Sequence, residues 1–322
     1  LSHSPTTYKI PGIYDLPGLE QVVEKRIASP WGEPSAPLIC GEIAGLPIVF
    51  LPRHDTGHRL SPSDINYRAN IDALKRVGVT DLISLSACGS FREEFPPGTF
   101  VLVDQFFDRT YKRESSFFDT GCVAHVSMAH PTSPRLRTHL AEAAMAEDIP
   151  LGRTGTYVCI EGPQFSTYAE SIVYKQLGFS VIGMTNMPEA KLAREAEICY
   201  ATVAMVTDFD CWHPDHDAVT VQDIIRMVSA NADKAKRLVA RLVRNFPREH
   251  EPCPIGSDRA LDTALITAPK SSGRCVSAAP MSNPPLLTPR MASFSGEVKP
   301  LSTRNCPAAM KSSKTFCLLA SI

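Results

Sequence analysis

Short apolar runs alternate with longer amphipathic segments from about residue 43 to residue 240, and this alternation constrains the fold more than any other feature. The apolar runs have the length of strands, whereas the segments between several of them repeat apolar residues with helical periodicity. Strands that are apolar on both faces are typical of a parallel sheet covered by helices. The pattern therefore predicts an α/β fold, with strands at 46–51, 81–86, 100–104, 156–160, 180–184 and 201–207 and helices at 66–77, 134–147, 167–177, 188–196 and 221–243.

The composition is that of an ordinary globular protein, since 43% of the 322 residues are hydrophobic and 21% are charged. The formal net charge of −1 gives no basic surface of the kind that binds nucleic acid. No apolar run reaches the roughly 18 residues of a membrane span, and the chain does not start with the apolar stretch of a signal peptide. We therefore expect no nucleic-acid partner and no membrane segment.

Ten cysteines are scattered along the chain without a Cys-x-x-Cys pair, and several lie within apolar runs. A free thiol in such a run behaves as a small hydrophobic side chain. This distribution favours reduced cysteines and a cytoplasmic protein over a disulfide framework.

The two ends of the chain differ from its middle. Residues 1–10 form an atypical N-terminal segment with no convincing strand. The stretch 269–322 is rich in Ser, Pro and small residues, which bury too little surface to offset the entropy of ordering. We expect one α/β domain at 11–268, followed by a disordered tail at 269–322.

Residues with anion-binding chemistry follow three of the predicted strands. Ligands of an open parallel sheet bind beyond the carboxyl ends of its strands, so these residues are expected at one edge. Arg53 offers a planar donor fork to a phosphate and His54 a further donor, although the pair also fits a solvated turn. Ser86 and Ala87 begin a run of small residues, which either bring backbone N–H groups close to an anion or form an ordinary tight turn. Thr185 adds a hydroxyl donor.

A second group of residues suits a nucleobase and a sugar. Phe165 follows a Gly-Pro turn, where its ring either stacks on a base or packs into the core. Met184 can lie against a sugar face. Asp208 and Asp210 follow an apolar strand, where carboxylates are costly without partners, although an Asp there also fits a helix N-cap or a solvated turn.

The polar segment that follows Trp212 could also form a metal site. His213 and His216 have a His-x-x-His spacing beside Asp215 and Asp217, which could ligate zinc. The segment has the composition of a polar loop, and the spacing places no third ligand. The Walker pattern and the dinucleotide-binding glycine pattern are both absent. We therefore expect no metal site.

Several stretches, taken in order, resemble the methylthioadenosine phosphorylase branch of the purine nucleoside phosphorylase family, which is the trimeric branch. The stretches are Gly12-Ile13-Tyr14-Asp15, Pro52-Arg53-His54, Ser86-Ala87-Cys88-Gly89-Ser90, Asp104-Gln105-Phe106, Ile160-Glu161-Gly162-Pro163, Met184-Thr185, Pro188-Glu189 and Thr207-Asp208-Phe209-Asp210-Cys211-Trp212. The resemblance runs from Gly12 to about Ala268. It implies a three-layer sandwich with a central mixed, mostly parallel sheet flanked by helices. It also implies a homotrimer with sites at the subunit interfaces, inorganic phosphate as co-substrate, and no metal or organic cofactor.

The same resemblance implies roles for individual residues. The phosphate subsite would consist of Arg53, His54, Ser86, Ala87 and Thr185. The ribose would lie against Met184, and the adenine would be held by Phe165, Asp208 and Asp210. The apolar wall around the methylthio group would consist of Val221, Ile224 and Ile225. Near the 5′ position, a neighbouring subunit would contribute His125.

The activity that the resemblance implies is the reversible phosphorolysis of S-methyl-5′-thioadenosine to adenine and S-methyl-5-thioribose 1-phosphate, a step of purine and methionine salvage. Asp210 would relay a proton to N7 of the departing purine, and Asp208 would accept a hydrogen bond from the N6 amino group. Because a carboxylate only accepts hydrogen bonds, Asp208 would repel the O6 of an oxopurine.

Two alternatives stay open. Family members carry a Gly-Gly-Ser/Thr-Gly phosphate loop before the Ile-Tyr-Asp segment, where this chain has Lys9-Ile10-Pro11-Gly12. Since Pro11 lacks a backbone N–H, the loss of these donors would give a catalytically impaired trimeric homologue that binds nucleosides without cleaving them. The other alternative is a phosphorylase of oxopurine nucleosides or of methylthioinosine.

Overall fold

The computed structural model describes residues 16–214, 221–266 and 315–321, within which eleven strands and five α-helices form. The strands are β1 Glu20–Lys25, β2 Leu38–Ile43, β3 Leu46–Pro52, β4 Val79–Ser90, β5 Phe100–Val103, β6 Gln105–Arg109, β7 Leu151–Gly152, β8 Thr156–Ile160, β9 Val181–Gly183, β10 Cys199–Phe209 and β11 Thr315–Ser321. The helices are α1 Tyr67–Arg76, α2 Pro134–Ala146, α3 Tyr168–Gln176, α4 Asn186–Glu195 and α5 Val221–Asn245. Every strand and helix predicted from the sequence overlaps one of these elements, which confirms those predictions.

Local capping determines where the first three helices begin. The Asn66 side chain accepts a hydrogen bond from a first-turn backbone N–H of α1. Ser133 caps α2 in the same way, and Pro134 occupies its first turn, where a missing N–H costs nothing. Thr167 and Glu170 form a capping box at the start of α3. These caps place the helix starts directly after the loops that leave the sheet.

All eleven strands belong to one mixed sheet. Its main order is β1-β2-β3-β11-β4-β10-β5-β7, and a smaller branch, β6-β8-β9, joins it where β9 pairs with β4. The strands β3, β11, β4 and β10 run parallel to one another, so their carboxyl ends meet at the same edge of the sheet. The expectation of an α/β fold with a mixed sheet is confirmed.

The sheet buries apolar side chains on both faces. Phe50 of β3 belongs to a core cluster that also contains residues of α2 and α5. The next residue, Leu51, belongs to a second cluster, which contains residues of α1 and α4. Helices therefore cover both faces, as near-continuous apolar strands require. None of the described helices combines the length and the apolar character that a membrane crossing needs.

Most cysteines in the described residues are free thiols buried in this core. They are Cys40, Cys88, Cys159, Cys199, Cys211, Cys253 and Cys317, of which only Cys211 is half-exposed. Cys122 is disulfide-bonded, so the expectation of reduced cysteines is wrong for this residue.

The far end of the sequence contributes a central strand. β11 lies between β3 and β4 and pairs in parallel with both of them. Its residues from Phe316 to Leu319 are each at most 1% exposed. The expectation of a disordered tail is therefore wrong for Thr315–Ser321. The stretch 269–314 lies outside the described residues, and the domain limits stay a prediction.

The physical reason for β11 is a short apolar run within a polar stretch. Phe316 and Leu318 pack into the core cluster of α2 and α5, while Cys317 and Leu319 pack into that of α1 and α4. A run without alternation is typical of a parallel strand that is buried on both faces. Because the stretch 269–322 as a whole is rich in Ser and Pro, its average composition did not reveal this short apolar run.

Shortening a side chain of β11 should destabilise the whole sheet. Leu318→Ala removes a fully buried side chain from a central strand, so we expect the free energy of unfolding to fall by about 2–5 kcal/mol. Val22→Ala in the edge strand β1, where the residue is 56% exposed, is the matched control and should cost about 1 kcal/mol or less. Urea unfolding followed by circular dichroism measures both. Equal stabilities of the two variants would show that β11 lies outside the cooperative fold.

Candidate functional site

A cavity of about 780 Å³ opens at the edge of the sheet where the carboxyl ends of β3, β8, β9 and β10 lie beside β4. This is the edge at which an open parallel arrangement places its ligands. Eight of the site residues predicted from the sequence line this cavity: His54, Ser86, Ala87, Phe165, Met184, Thr185, Asp208 and Asp210. The candidate phosphate-binding and base-binding groups therefore share one cavity.

Two other predicted site residues lie away from this cavity. Arg53 is fully buried directly behind Thr185. His125 lines a second cavity, of about 320 Å³, together with Arg194 and Arg259. The remaining three have side chains outside the described residues: Val221, Ile224 and Ile225. The roles assigned to all of these residues stay predictions.

Two hydroxyl groups lie side by side on the cavity wall. Ser86 Oγ of β4 is 3.4 Å from the Oγ1 of Thr185, which follows β9. Each hydroxyl has a buried neighbour behind it. Tyr157 Oη is 3.1 Å from Ser86 Oγ, and the Arg53 guanidinium donates to Thr185 Oγ1 over 3.0 Å. A pair of small hydroxyls with donors behind them is suited to the oxygen atoms of an anion.

Arg53 supports this wall from behind. Its guanidinium donates to Ser84 Oγ over 2.8 Å and to the Leu319 carbonyl of β11 over 2.9 Å. It also forms an ion pair of 3.3 Å with Glu189 of α4, and this pairing makes the burial of its charge tolerable. In this arrangement Arg53 positions Thr185, and a direct contact between Arg53 and phosphate stays a prediction.

His54 is a neutral imidazole held in one tautomer. Its Nδ1 lies 2.8 Å from the Leu60 carbonyl oxygen, which can only accept, so Nδ1 carries the proton. Burial lowers the pKa of His54 to about 4, and the neighbouring charges of His58, Arg53 and Arg113 lower it further against the effect of the Leu60 hydrogen bond. At neutral pH Nε2 therefore keeps a lone pair and can accept a hydrogen bond, whereas the sequence predicted a donor.

The two carboxylates lie at the end of β10. A β-bulge at Thr207 shifts the register, so that Asp208 lies opposite Gly89 of β4. Such a bulge redirects the side chains that follow it. Gly89 leaves the necessary room, because a Cβ there would lie 3.3 Å from Asp208 Oδ1 and 3.4 Å from the Cβ of Asp210. The Thr207 hydroxyl donates to Asp208 Oδ2 over 2.7 Å. The bulge and the glycine together bring both carboxylates to the cavity.

A buried arginine that is not among the sequence-based candidates holds two cavity loops together. Arg113 donates to the carbonyl oxygens of Met184, Met187 and Glu161, each over 2.6 Å. It also forms an ion pair of 3.2 Å with the Glu161 carboxylate. Although burial opposes ionisation, hydrogen bonds from Ser63 and from two backbone N–H groups lower the pKa of Glu161. Arg113 thereby ties the loop after β8 to the loop after β9, on which Met184 lies.

Further side chains complete the lining of the cavity. Some of them, such as Cys88, Ser166 and Thr207, belong to strand-end segments that the sequence already marked. The loop 58–62 carries no strand-end signal, and Val228 lies on α5. The lining residues that were not predicted are His58, Arg59, Leu60, Ser61, Pro62, Cys88, Ile160, Pro163, Ser166, Ile182, Gly183, Thr207 and Val228.

The His-x-x-His segment shows no metal-binding geometry where it is described. His213 stacks on Phe209 with ring centroids 4.4 Å apart. Within residues 16–214, 221–266 and 315–321, no three His, Cys, Asp or Glu side chains form a group that could hold a metal ion. The other three candidate ligands lie outside the described residues: Asp215, His216 and Asp217.

Comparison with known proteins supports a single family. The model of the phosphorylase superfamily matches residues 14–244 of the chain. The S-methyl-5′-thioadenosine phosphorylase of Bradyrhizobium diazoefficiens is 84% identical over 260 residues, which cover 81% of this chain and 89% of that protein.

Solved structures agree with the sequence comparison. A methylthioadenosine phosphorylase from an antarctic soil metagenomic library has a TM-score of 0.75 at 46% identity, covering 80% of this chain and 90% of its own. The methylthioadenosine phosphorylase of Schistosoma mansoni, solved in complex with adenine, has a TM-score of 0.72 at 34% identity. That likeness covers 76% of this chain and 93% of the other. The likeness therefore extends over most of each protein.

The His54 tautomer should make stability depend on pH. The pKa of His54 is about 4 in the folded chain, against an ordinary value of 6.5, so the unfolded state binds the proton first as the pH falls. Through this residue, the free energy of unfolding should drop by about 2 kcal/mol between about pH 7 and pH 5. Urea unfolding at both pH values measures the drop. His54→Asn keeps a donor for the Leu60 carbonyl but cannot titrate, so the drop of about 2 kcal/mol between pH 7 and pH 5 should disappear in this variant. An unchanged pH dependence of the free energy of unfolding would contradict the neutral state of His54.

Proposed function

Because the chain belongs to the phosphorylase superfamily, we propose that it catalyses the reversible phosphorolysis of S-methyl-5′-thioadenosine to adenine and S-methyl-5-thioribose 1-phosphate. One observation carries this proposal. A single cavity has the hydroxyls of Ser86 and Thr185 on its wall and the carboxylates of Asp208 and Asp210 at the end of β10. The choice of nucleoside is supported by the Bradyrhizobium relative, a methylthioadenosine phosphorylase at 84% identity.

Phosphate would act on one face of the sugar. In the reaction the C1′–N9 bond breaks with its electron pair going to the purine, and a phosphate oxygen forms the new bond to C1′. The sugar passes through a cation-like state, as in glycoside cleavage, and the phosphate charge stabilises it. Ser86 and Thr185 would donate to phosphate oxygens, and His54 Nε2 would accept from a protonated one. Met184 would lie against the ribose.

The purine would be held and protonated at the other group of residues. As the base departs it gains negative charge, which a proton delivered to N7 relieves. Asp210 would relay that proton, and Asp208 would accept a hydrogen bond from the N6 amino group. Phe165, which is 81% exposed on its loop, would stack on the ring. A carboxylate at Asp208 disfavours an oxopurine, because two acceptors would face each other.

The assembly and the setting belong to the same proposal. We propose a homotrimer in which His125 of one copy approaches the 5′ position in the cavity of its neighbour. The exposure of His125 on the surface of a single copy supports this contact. Sedimentation equilibrium would overturn this part if it gave the mass of a monomer. Seven of the eight cysteines in the described residues are free thiols, which suit the reducing cytoplasm that the sequence predicts, whereas the disulfide at Cys122 counts against it.

Release of adenine from methylthioadenosine, monitored by ultraviolet absorbance, tests the reaction. We expect release only when phosphate is present, at a rate that a metal chelator leaves unchanged, because no metal takes part in the proposed steps. Binding of methylthioadenosine without any release would instead support the impaired homologue that the altered first loop suggests. Faster cleavage of methylthioinosine than of methylthioadenosine would overturn the choice of base.

The two carboxylates should have separable effects. Asp210→Asn should lower kcat by about 10² or more, because it removes the proton relay to N7. Asp208→Asn should instead shift the kcat/KM preference from adenosine towards inosine, since an amide can also donate to O6. Asp148→Asn, at an exposed turn residue two positions beyond the end of α2, is the matched control and should change neither quantity. If both cavity variants behaved like this control, the base-binding assignment would be wrong.

A further inference from the structure

A buried tyrosine hydroxyl lies directly behind the anion-binding wall and takes no part in the steps proposed so far. Tyr157 is on β8, is fully buried, and does not itself line the cavity. Its Oη is 3.1 Å from Ser86 Oγ, and Ser86 does line the cavity. The tyrosine therefore touches the wall from the side opposite to any bound anion.

The position of the ring depends on a glycine. A Cβ on Gly183, at the end of β9, would overlap the Tyr157 hydroxyl. The absence of a side chain at Gly183 thus lets the phenol reach Ser86 between β4 and β9. A side chain at position 183 would displace the Tyr157 hydroxyl. The contact between Tyr157 and Ser86 therefore requires both the tyrosine on β8 and the glycine on β9.

The direction of the hydrogen bond follows from burial. Burial raises the pKa of Tyr157, so the phenol keeps its proton. A buried hydroxyl needs an acceptor for that proton. In the part of the chain that the structure describes, Ser86 Oγ is the side-chain acceptor within reach. Tyr157 therefore donates to Ser86, and the hydrogen of the Ser86 hydroxyl is available elsewhere.

The same arrangement recurs at the neighbouring hydroxyl. Arg53 donates to Thr185 Oγ1 over 3.0 Å, and a guanidinium has no acceptor to offer in return. The hydrogen of Thr185 is therefore also available to the cavity. Ser86 Oγ and Thr185 Oγ1 lie 3.4 Å apart, a separation at which two donors can serve one tetrahedral oxyanion. Ser86 Oγ itself donates to the Ala87 carbonyl over 3.3 Å, and Thr185 Oγ1 is a second possible acceptor at 3.4 Å. Both distances are long, whereas a hydrogen bond to an anion is shorter and stronger, so a bound anion would take this hydrogen.

We propose that Tyr157 is a positioning residue of the phosphate subsite: by donating to Ser86 Oγ, it commits the Ser86 hydroxyl to donate to phosphate. This proposal rests on the proposed phosphorolysis for the identity of the anion. Tyr157 does not touch the substrate, so its effect is confined to the phosphate side of the reaction. Hydrogen bonds in a chain also polarise one another, so the bond from Tyr157 would strengthen the Ser86 hydroxyl as a donor to phosphate.

Tyr157→Phe tests the proposal, because it removes the hydroxyl and keeps the ring. Loss of one neutral hydrogen bond corresponds to a rise of about three- to tenfold in the Kd of inorganic phosphate, measured by calorimetry without nucleoside. The KM for phosphate should rise by a similar factor, while the KM for methylthioadenosine changes less than about twofold. Tyr174→Phe is the matched control, since Tyr174 is buried in a separate cluster and should leave both constants unchanged.

A double-variant cycle separates positioning from simple core packing. In a Ser86→Ala background, the further change Tyr157→Phe should leave the phosphate Kd unchanged, because the group through which Tyr157 acts is gone. Equal and additive losses in both backgrounds would overturn the proposal, as would an unchanged phosphate Kd in the single variant. Since phosphate binding is measured without nucleoside, a chain that binds phosphate but releases no adenine refutes the proposed reaction and still decides the role of Tyr157. A wild-type chain that binds no phosphate would overturn both.

Discussion

The Arg53 guanidinium is the interaction on which both the central sheet and the site depend. It is fully buried and is paired with Glu189 of α4. Its hydrogen bonds reach Ser84 of β4, Leu319 of β11 and Thr185 after β9. A buried cation needs all of these partners, because an unpaired charge in a protein interior is strongly destabilising. The same set of bonds therefore locks three strands together and holds the wall of the cavity in place.

A second buried arginine holds the segments of the chain on which Glu161 and Met184 lie. Arg113 binds the carbonyl oxygens of Glu161 and Met184, in the loops after β8 and β9, and that of Met187 at the start of α4, and it pairs with Glu161. These loops are irregular, and irregular backbone leaves carbonyl groups without strand or helix partners. The five N–H groups of one guanidinium satisfy several such carbonyls at once. Cavity-lining residues such as Met184 can thus lie on loops and still be held rigidly.

Two polar side chains at or directly behind the cavity wall, those of His54 and Tyr157, are uncharged. His54 is kept neutral by burial, and Tyr157 keeps its proton for the same reason. With the charge of Arg53 already balanced by Glu189, the wall presents mainly oriented hydroxyl groups to the cavity. Oriented donors of this kind need no rearrangement when an anion binds, which is the basis of electrostatic preorganisation.

The sequence by itself determined the α/β class and the place of the site. Near-continuous apolar runs such as 46–51 and 201–207 must be buried on both faces, and Asp208 follows the second of them at a strand end. These conclusions need only local patterns, because periodicity reports burial along a single element. The predicted candidates that reached the cavity, among them Ser86 and Thr185, were found by this rule.

Only the tertiary structure decided which distant residues meet. Leu319 contacts Arg53 across a sequence separation of 266 residues, and Arg113 contacts Met184 across 71. No local pattern signals such contacts, because strand order is set by how apolar faces pack and not by position along the chain. The direction of the Arg53 side chain and the contact between Tyr157 and Ser86 depend on the same packing. They follow from burial, which forces each polar group to find its partner wherever the fold has placed one.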